Sequence, residues 1–166
     1  MIVVLMGVAG SGKTTIGRAL AASLRWPFHD ADDFHPPANV AKMAAGIPLT
    51  DDDRWPWLDR IVVALAKAGV DDGNAVLACS ALRQSYRDRL ARAGNVRFVF
   101  LKGDLATIAE RLAVRSHKYM PASLLPSQFA TLEEPTDALV IDIRADPQAQ
   151  VAAIRDGLKL SPANAA

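Results

Sequence analysis

Apolar positions along the chain alternate between short unbroken runs and spaced stripes. The first run, Ile2–Met6 (IVVLM), is rich in β-branched residues and suits a strand covered on both faces. Behind it, Ile16, Leu20 and Leu24 stand at i, i+4 and i+8, one apolar stripe on a helix over Lys13–Leu24. A second short strand is predicted at 27–30. "DDDRWPWLDRIVVALAKAG" then reads as a helix that opens on acids, carries Leu58, Ile61 and Leu65 on one face, and ends at Lys67 before Gly69. "AVLACS" is a buried strand, followed by a helix with Leu82, Tyr86 and Leu90 in register. "VRFVFLKG" is a strand, 104–116 a helix with Leu105, Ile108 and Leu112, "DALVIDI" the last strand, and 148–158 the last helix. Five apolar strands alternating with amphipathic helices predict an α/β fold: a five-stranded parallel sheet with helices on both faces, in three layers. Ligands bind such sheets beyond the carboxyl ends of the strands.

One segment breaks the rhythm. "HKYMPASLLPSQFATLEEP" separates a helix from the last strand with three prolines, longer than the usual connection. It reads as a lid at about 116–135 over a site, against the plainer alternative of a surface excursion with one short helix at 122–129.

At 166 residues the chain is expected to form one domain over 1–166. Hydrophobic residues make up 51% and the formal net charge is +1, which argues against nucleic acid or an anionic membrane as partner, since both select for excess Lys and Arg. Cys79 is the single cysteine, so no internal disulfide can form. The opening apolar run has no basic flank and stops at Gly7, too short for a leader or a spanning helix, so a cytoplasmic location is expected.

Candidate chemistry begins at "GVAGSGKTT", which fits G-x-x-x-x-G-K-[ST] between a strand and a helix. Gly7, Gly10 and Gly12 let the backbone curl, so that amides from Ala9, Ser11 and their neighbours face a phosphate and the helix adds its positive end. Lys13 is expected to bridge the β- and γ-phosphates of ATP, and the Thr14 hydroxyl to ligate Mg²⁺, with Thr15 or Ser11 adding a hydrogen bond. Neither N-K-x-D nor D-x-x-G occurs, which speaks against a guanine-nucleotide switch. The third strand ends at Cys79-Ser80 and not in an acid, so the metal's remaining shell must come from elsewhere.

"HDADDFH" supplies candidates. Of Asp30 and Asp32, one could hold a metal-bound water and the other could accept a proton from, or orient, an attacking hydroxyl. The competing reading makes Asp32 or Asp33 an N-cap of the helix that follows. His35, Lys42, Arg54, Ser80 and Arg83 would be gathered near an acceptor, with Arg83 placed to grip a carboxylate or phosphate. Arg87 and Arg89 are expected to be solvated, and Asp51 and Asp53 to serve the helix N-terminus. Asp142 reads as structural or as the edge of the nucleotide site. Arg111 and Arg115, one turn apart and leading into His117, could close over a triphosphate.

The pieces "GVAGSGKTT", "DADDFHPPANVAKMAAGIPLTDDDRWPWL", "CSALRQSYRDRL", "FVFLKG" and "HKYMPASLLPSQFATLEEP" together resemble the gluconate kinases, small phosphate-loop relatives of shikimate and nucleoside-monophosphate kinases. The resemblance covers nearly the whole chain. It implies transfer of the ATP γ-phosphate, with Mg²⁺, to the 6-hydroxyl of D-gluconate. Lys13, Asp32 and Arg115 would be catalytic and Arg111 would lie on the nucleotide. Asp30, Asp32, His35, Lys42, Arg54, Ser80, Arg83 and His117 would surround the acceptor. Relatives are commonly homodimers. Ser116 stands where many relatives have glycine, a less permissive residue at the lid hinge. The rival readings are another kinase of the same fold, acting on shikimate or a nucleoside monophosphate, and a non-catalytic ATP-binding module.

Overall fold

A computed structural model describes residues 1–71, 73–114 and 125–162. Its five strands are β1 (Ile2–Met6), β2 (Phe28–Asp30), β3 (Ala75–Ala78), β4 (Val96–Lys102) and β5 (Leu139–Asp142). They form one parallel sheet, as the alternation of runs and stripes predicts, and its strand order is β2-β3-β1-β4-β5. The central strand, β1, is buried at every position.

Alternation along β1 divides the interior in two. Val3 and Leu5 face one layer, where they meet Leu20 and Leu24 of α1 (Lys13–Leu24), Ile108 and Leu112 of α5 (Leu105–Val114), and Ile154 of α7 (Pro147–Leu158). Ile2, Val4 and Met6 face the other, against Leu58, Ile61 and Leu65 of α3 (Asp51–Asp71) and Tyr86 and Leu90 of α4 (Gln84–Ala91). Each fully buried Leu or Ile contributes about 1.5–3 kcal/mol of transfer free energy. The stripes are therefore what fixes the helices to the sheet.

The described residues also form α2 (Pro37–Ala44) and α6 (Leu125–Thr131), with a 3-10 turn at Ala31–Phe34. The helix ending expected at Lys67 is overrun, and α3 continues through Gly69 to Asp71. A mid-helix glycine costs only about 1 kcal/mol, which the packed stripe behind it outweighs. The short helix expected at 122–129 lies at Leu125–Thr131 in its described part. Of the expected lid, 116–124 falls outside the described residues.

The carboxyl ends of β1, β2 and β3 converge on one edge. There the Gly7 N–H donates to the Ser80 carbonyl at 3.2 Å, tying the start of the glycine loop to the end of β3.

Candidate functional site

The glycine loop has the shape the motif requires. Gly7, Gly10 and Gly12 hold φ of 141°, 82° and 99°, a region that disfavours any side chain. A Cβ on Gly10 would also come within 2.9 Å of Leu112. Gly12 caps α1 without a side-chain hydrogen bond, which leaves the first-turn amides aimed at a ligand. Beside them lies a cleft of about 470 Å³, lined by Gly10, Gly12, Thr15, Ile16, Arg111 and Pro147. The Arg111 guanidinium donates to the Ile143 carbonyl at 2.5 Å, and so braces the loop leading into α7.

Lys13 folds back on its own loop, its Nζ donating to the Gly7 and Val8 carbonyls at 3.0 and 2.9 Å. Burial pulls its pKa below the ordinary lysine value, and the carboxylates of Asp32 and Asp30 oppose that shift. The buried Ser11 hydroxyl has no hydrogen-bond partner among the described residues.

The carboxylates stand next to this loop. Thr14 Oγ1 donates to Asp30 Oδ2 at 2.9 Å, which joins α1 to the end of β2. Asp30 Oδ1 accepts from the Asp32 N–H at 3.2 Å and caps the 3-10 turn. That turn is pinned from the other side by α3, where Trp57 Nε1 donates to the Ala31 carbonyl at 2.8 Å. Neither Asp32 nor Asp33 caps α2, which begins behind Pro36 with no side-chain cap. Asp32 keeps 67% of its side chain exposed. Partial desolvation, followed by the charge of Asp30, raises its pKa against the pull of Lys13. A carboxylate raised and accessible in this way is better suited to accept a proton than an ordinary one.

His35 stacks on Trp57 with ring centroids 4.3 Å apart, and its Nδ1 lies 3.4 Å from the Asn39 amide. Burial, with a smaller contribution from Arg54, brings its pKa down to about 4. The ring is therefore neutral at physiological pH, and its Nε2 lies 3.9 Å from Asp32.

Arginines meet at Asp51. Arg83 donates to its carboxylate at 2.7 Å and the Tyr86 hydroxyl at 2.5 Å, while Arg54 approaches to 3.5 Å. Both guanidinium groups also lie over the Tyr86 ring, 5.6 and 5.9 Å from its centre. Asp51 is thus the shared counter-ion of two arginines, beyond the helix-start role expected of it. Asp53 keeps that role, accepting from the Thr50 N–H and hydroxyl at 2.9 Å. It also takes both bonds from Lys42, at 2.7 and 2.8 Å, and these hold its carboxyl at about 2. Lys42 therefore ties α2 to α3.

One expectation fails outright: Arg87 is buried, not solvated. It donates to the Ala81 and Leu82 carbonyls and to Gln84, because the turn after β3 gives the Ala81 carbonyl no backbone donor among the described residues and Arg87 is the donor within reach. Arg89 does reach the surface, where it forms a two-pronged pair with Asp59 at 2.6 Å. Asp142 pairs with Arg144. Arg115 and His117 lie outside the described residues. Sequence reasoning missed Asp51 and Tyr86 as partners of Arg83, Trp57 as the pin of the acidic turn, and Gln128, whose Oε1 accepts from the Ala9 N–H at 2.6 Å. Pairings between elements this far apart leave no periodic trace.

Among the described residues no cluster of three His, Cys, Asp or Glu side chains could cage a metal. The Thr14–Asp30 pair fits Mg²⁺ of another kind, one held by a hydroxyl, one or two carboxylates and the substrate's own phosphates.

A model of the shikimate kinase family matches residues 9–135. A gluconokinase of Gluconobacter oxydans (strain 621H) is 50% identical over 136 residues, covering 81% of this chain and 76% of its own. The thermoresistant gluconokinase of Escherichia coli (strain K12) is 40% identical over 163 residues, covering 95% and 93%. The crystal structure of a gluconokinase from Sinorhizobium meliloti 1021 superposes with a TM-score of 0.84 at 42% identity, over 95% of this chain and 90% of that one.

Proposed function

The chain belongs to the shikimate kinase family and, within it, to the gluconokinases, and we propose on that premise that it transfers the γ-phosphate of ATP to the 6-hydroxyl of D-gluconate. The observation that carries the reading is the Thr14–Asp30 bond. It holds Asp30, with Asp32 bonded to it two residues on, beside a phosphate loop, where a hydroxyl acceptor needs a base and a phosphate needs a cation.

Loop amides and the N-terminus of α1 take the β-phosphate, and Lys13 leaves the Gly7 and Val8 carbonyls to bridge the β- and γ-phosphates. Mg²⁺, held by the Thr14 hydroxyl and through Asp30, would neutralise charge on the phosphates. Asp32 orients the 6-hydroxyl and receives its proton as the oxygen attacks phosphorus. Its raised pKa suits it to that proton transfer. The sugar acid's carboxylate requires a cation, and Arg83, with Arg54 beside it, supplies one by exchanging Asp51 for the substrate. Neutral His35 offers a hydrogen bond in place of a charge. Arg111 serves the nucleotide, and Arg115 and His117 are proposed to close over the transferring group. A cytoplasmic setting fits these metabolites.

The test is ADP release with ATP and Mg²⁺, run in parallel on D-gluconate, shikimate, AMP and no acceptor. Release that depends on gluconate alone is expected. Release with another acceptor discards the substrate, and ATP binding without any release revives a non-catalytic module.

A further inference from the structure

The phosphate loop is gripped from a direction the reaction does not explain. Gln128 lies on α6, and its Oε1 accepts the Ala9 N–H at 2.6 Å. The Ala9 N–H and the Val8 carbonyl are the two polar ends of one peptide group. That carbonyl is one of the two that hold the Lys13 ammonium, at 2.9 Å. Gln128 and Lys13 therefore hold the same rigid plane from opposite edges.

The grip is anchored. Leu125, one turn before Gln128, is buried in the same apolar layer as Val8, Ile108 and Leu112, and Phe129 packs against that layer. Beyond the helix, the Glu133 N–H donates to the Leu82 carbonyl at 2.9 Å, and the Glu133 carboxylate accepts from the Gln84 N–H at 2.6 Å. Leu82 and Gln84 flank Arg83. One short stretch, 125–133, is thus bonded to the phosphate loop at one end and to both neighbours of the acceptor-side arginine at the other.

We propose that Gln128 is a positioning residue for phosphoryl transfer: by holding the Ala9 N–H it fixes the Val8–Ala9 peptide that parks Lys13, and it ties that peptide to the backbone carrying Arg83. The consequence for the reaction rests on the kinase reading above. When a triphosphate draws Lys13 away from the Val8 carbonyl, that edge of the peptide keeps the bond from the Ser11 N–H at 3.3 Å. Gln128 holds the opposite edge, so the loop keeps its shape while its lysine moves. A neutral amide suits this place, because a carboxylate would put a negative charge against the incoming phosphates.

The experiment compares Gln128→Met, similar in length but without the amide acceptor, and Gln128→Glu, which keeps an acceptor and adds charge. In the unliganded protein the Ala9 amide proton resonance should move upfield in Gln128→Met and stay near its wild-type position in Gln128→Glu. Gln128→Met should lower kcat about tenfold, with the acceptor KM changed less than about twofold and the melting temperature unchanged. Gln128→Glu should instead raise the KM for ATP. An unmoved Ala9 resonance in Gln128→Met, or an unchanged kcat, overturns the proposal. A kcat loss accompanied by equal changes in acceptor KM and melting temperature also overturns it, since that pattern marks a merely structural residue. The resonance needs no acceptor, so failure of gluconate as substrate is told apart from failure of Gln128.

Discussion

Charge at Lys13 and Arg83 rests on partners that a substrate must displace. Lys13 is parked on two neutral carbonyls, a weaker attraction than a phosphate offers, and Arg83 on the Asp51 carboxylate, which a substrate carboxylate replaces in kind. Lys13→Ala should lower kcat by roughly a hundred- to a thousandfold with the fold intact, because Lys13 acts on charge developing in the transition state. Arg83→Ala should raise the KM for gluconate far more than that for ATP; steady-state kinetics with each substrate varied in turn separate the two, and an effect confined to ATP would remove Arg83 from the acceptor side. His35 makes a prediction about pH. Unfolded, its ring titrates near 6.5, and folded at about 4, so between those values the unfolded chain holds the extra proton. Unfolding free energy from this residue therefore falls as pH drops from 6.5 to 4, by on the order of 2 kcal/mol. Asp32, whose raised pKa gives the fold the extra proton above the ordinary carboxylate value, acts in the opposite sense. The informative quantity is thus the pH dependence of wild type minus that of His35→Gln, from urea unfolding at pH 7 and pH 4. Identical pH dependence in the two proteins would contradict the buried, neutral ring.

At the scale of elements, what was legible in the sequence and what was not divides along a physical line. Apolar period specified β1, the stripe of α1 and the two faces of the sheet, because burial acts on every turn of a helix and every second residue of a strand. The glycine loop was legible because three positive-φ positions leave little choice of residue. The acidic turn was legible as residues but not as a structure. Its shape depends on Trp57, which comes from α3, 26 residues further along the chain, and donates to the Ala31 carbonyl. Arg87 was misplaced for the same reason, since its burial answers carbonyls that only the folded turn gathers around it. This pin can be tested by Trp57→Phe, which keeps an aromatic face for His35 while deleting the donor together with part of the indole. Leaving the buried Ala31 carbonyl without its partner should cost about 1–3 kcal/mol, lowering the melting temperature by roughly 3–8 °C. Because Asp30 and Asp32 bound this turn, kcat should fall severalfold alongside. A full loss of stability with kcat unchanged would show that the carboxylates hold their places without the pin.

For the whole molecule, the central question is whether two apolar layers that share one sheet behave as one unit. β1 sends alternate side chains into both layers, so neither layer can lose its packing without stripping one face of the same buried strand. The site crosses that division: Lys13 and Thr14 belong to α1 on one face, whereas Trp57, Arg54 and Arg83 belong to the α3–α4 side. A catalytic edge assembled from both faces needs them locked in register, and the sheet supplies the lock. Natural probes report on each side, since Trp26 packs against the first layer and Trp57 lies within the second. Fluorescence of a Trp26→Phe protein and of a Trp55→Phe/Trp57→Phe protein should give urea transitions whose midpoints differ only by each variant's overall stability, and each should coincide with loss of helix by circular dichroism. Saturating ATP at about a hundred times its Kd should add about 2.7 kcal/mol to both, because release of the nucleotide then requires unfolding of the whole unit. If ATP stabilised the Trp26 transition and left the Trp57 transition in place, the layers would be separable, and the register between Lys13 and Arg83 would have to be held by something other than β1.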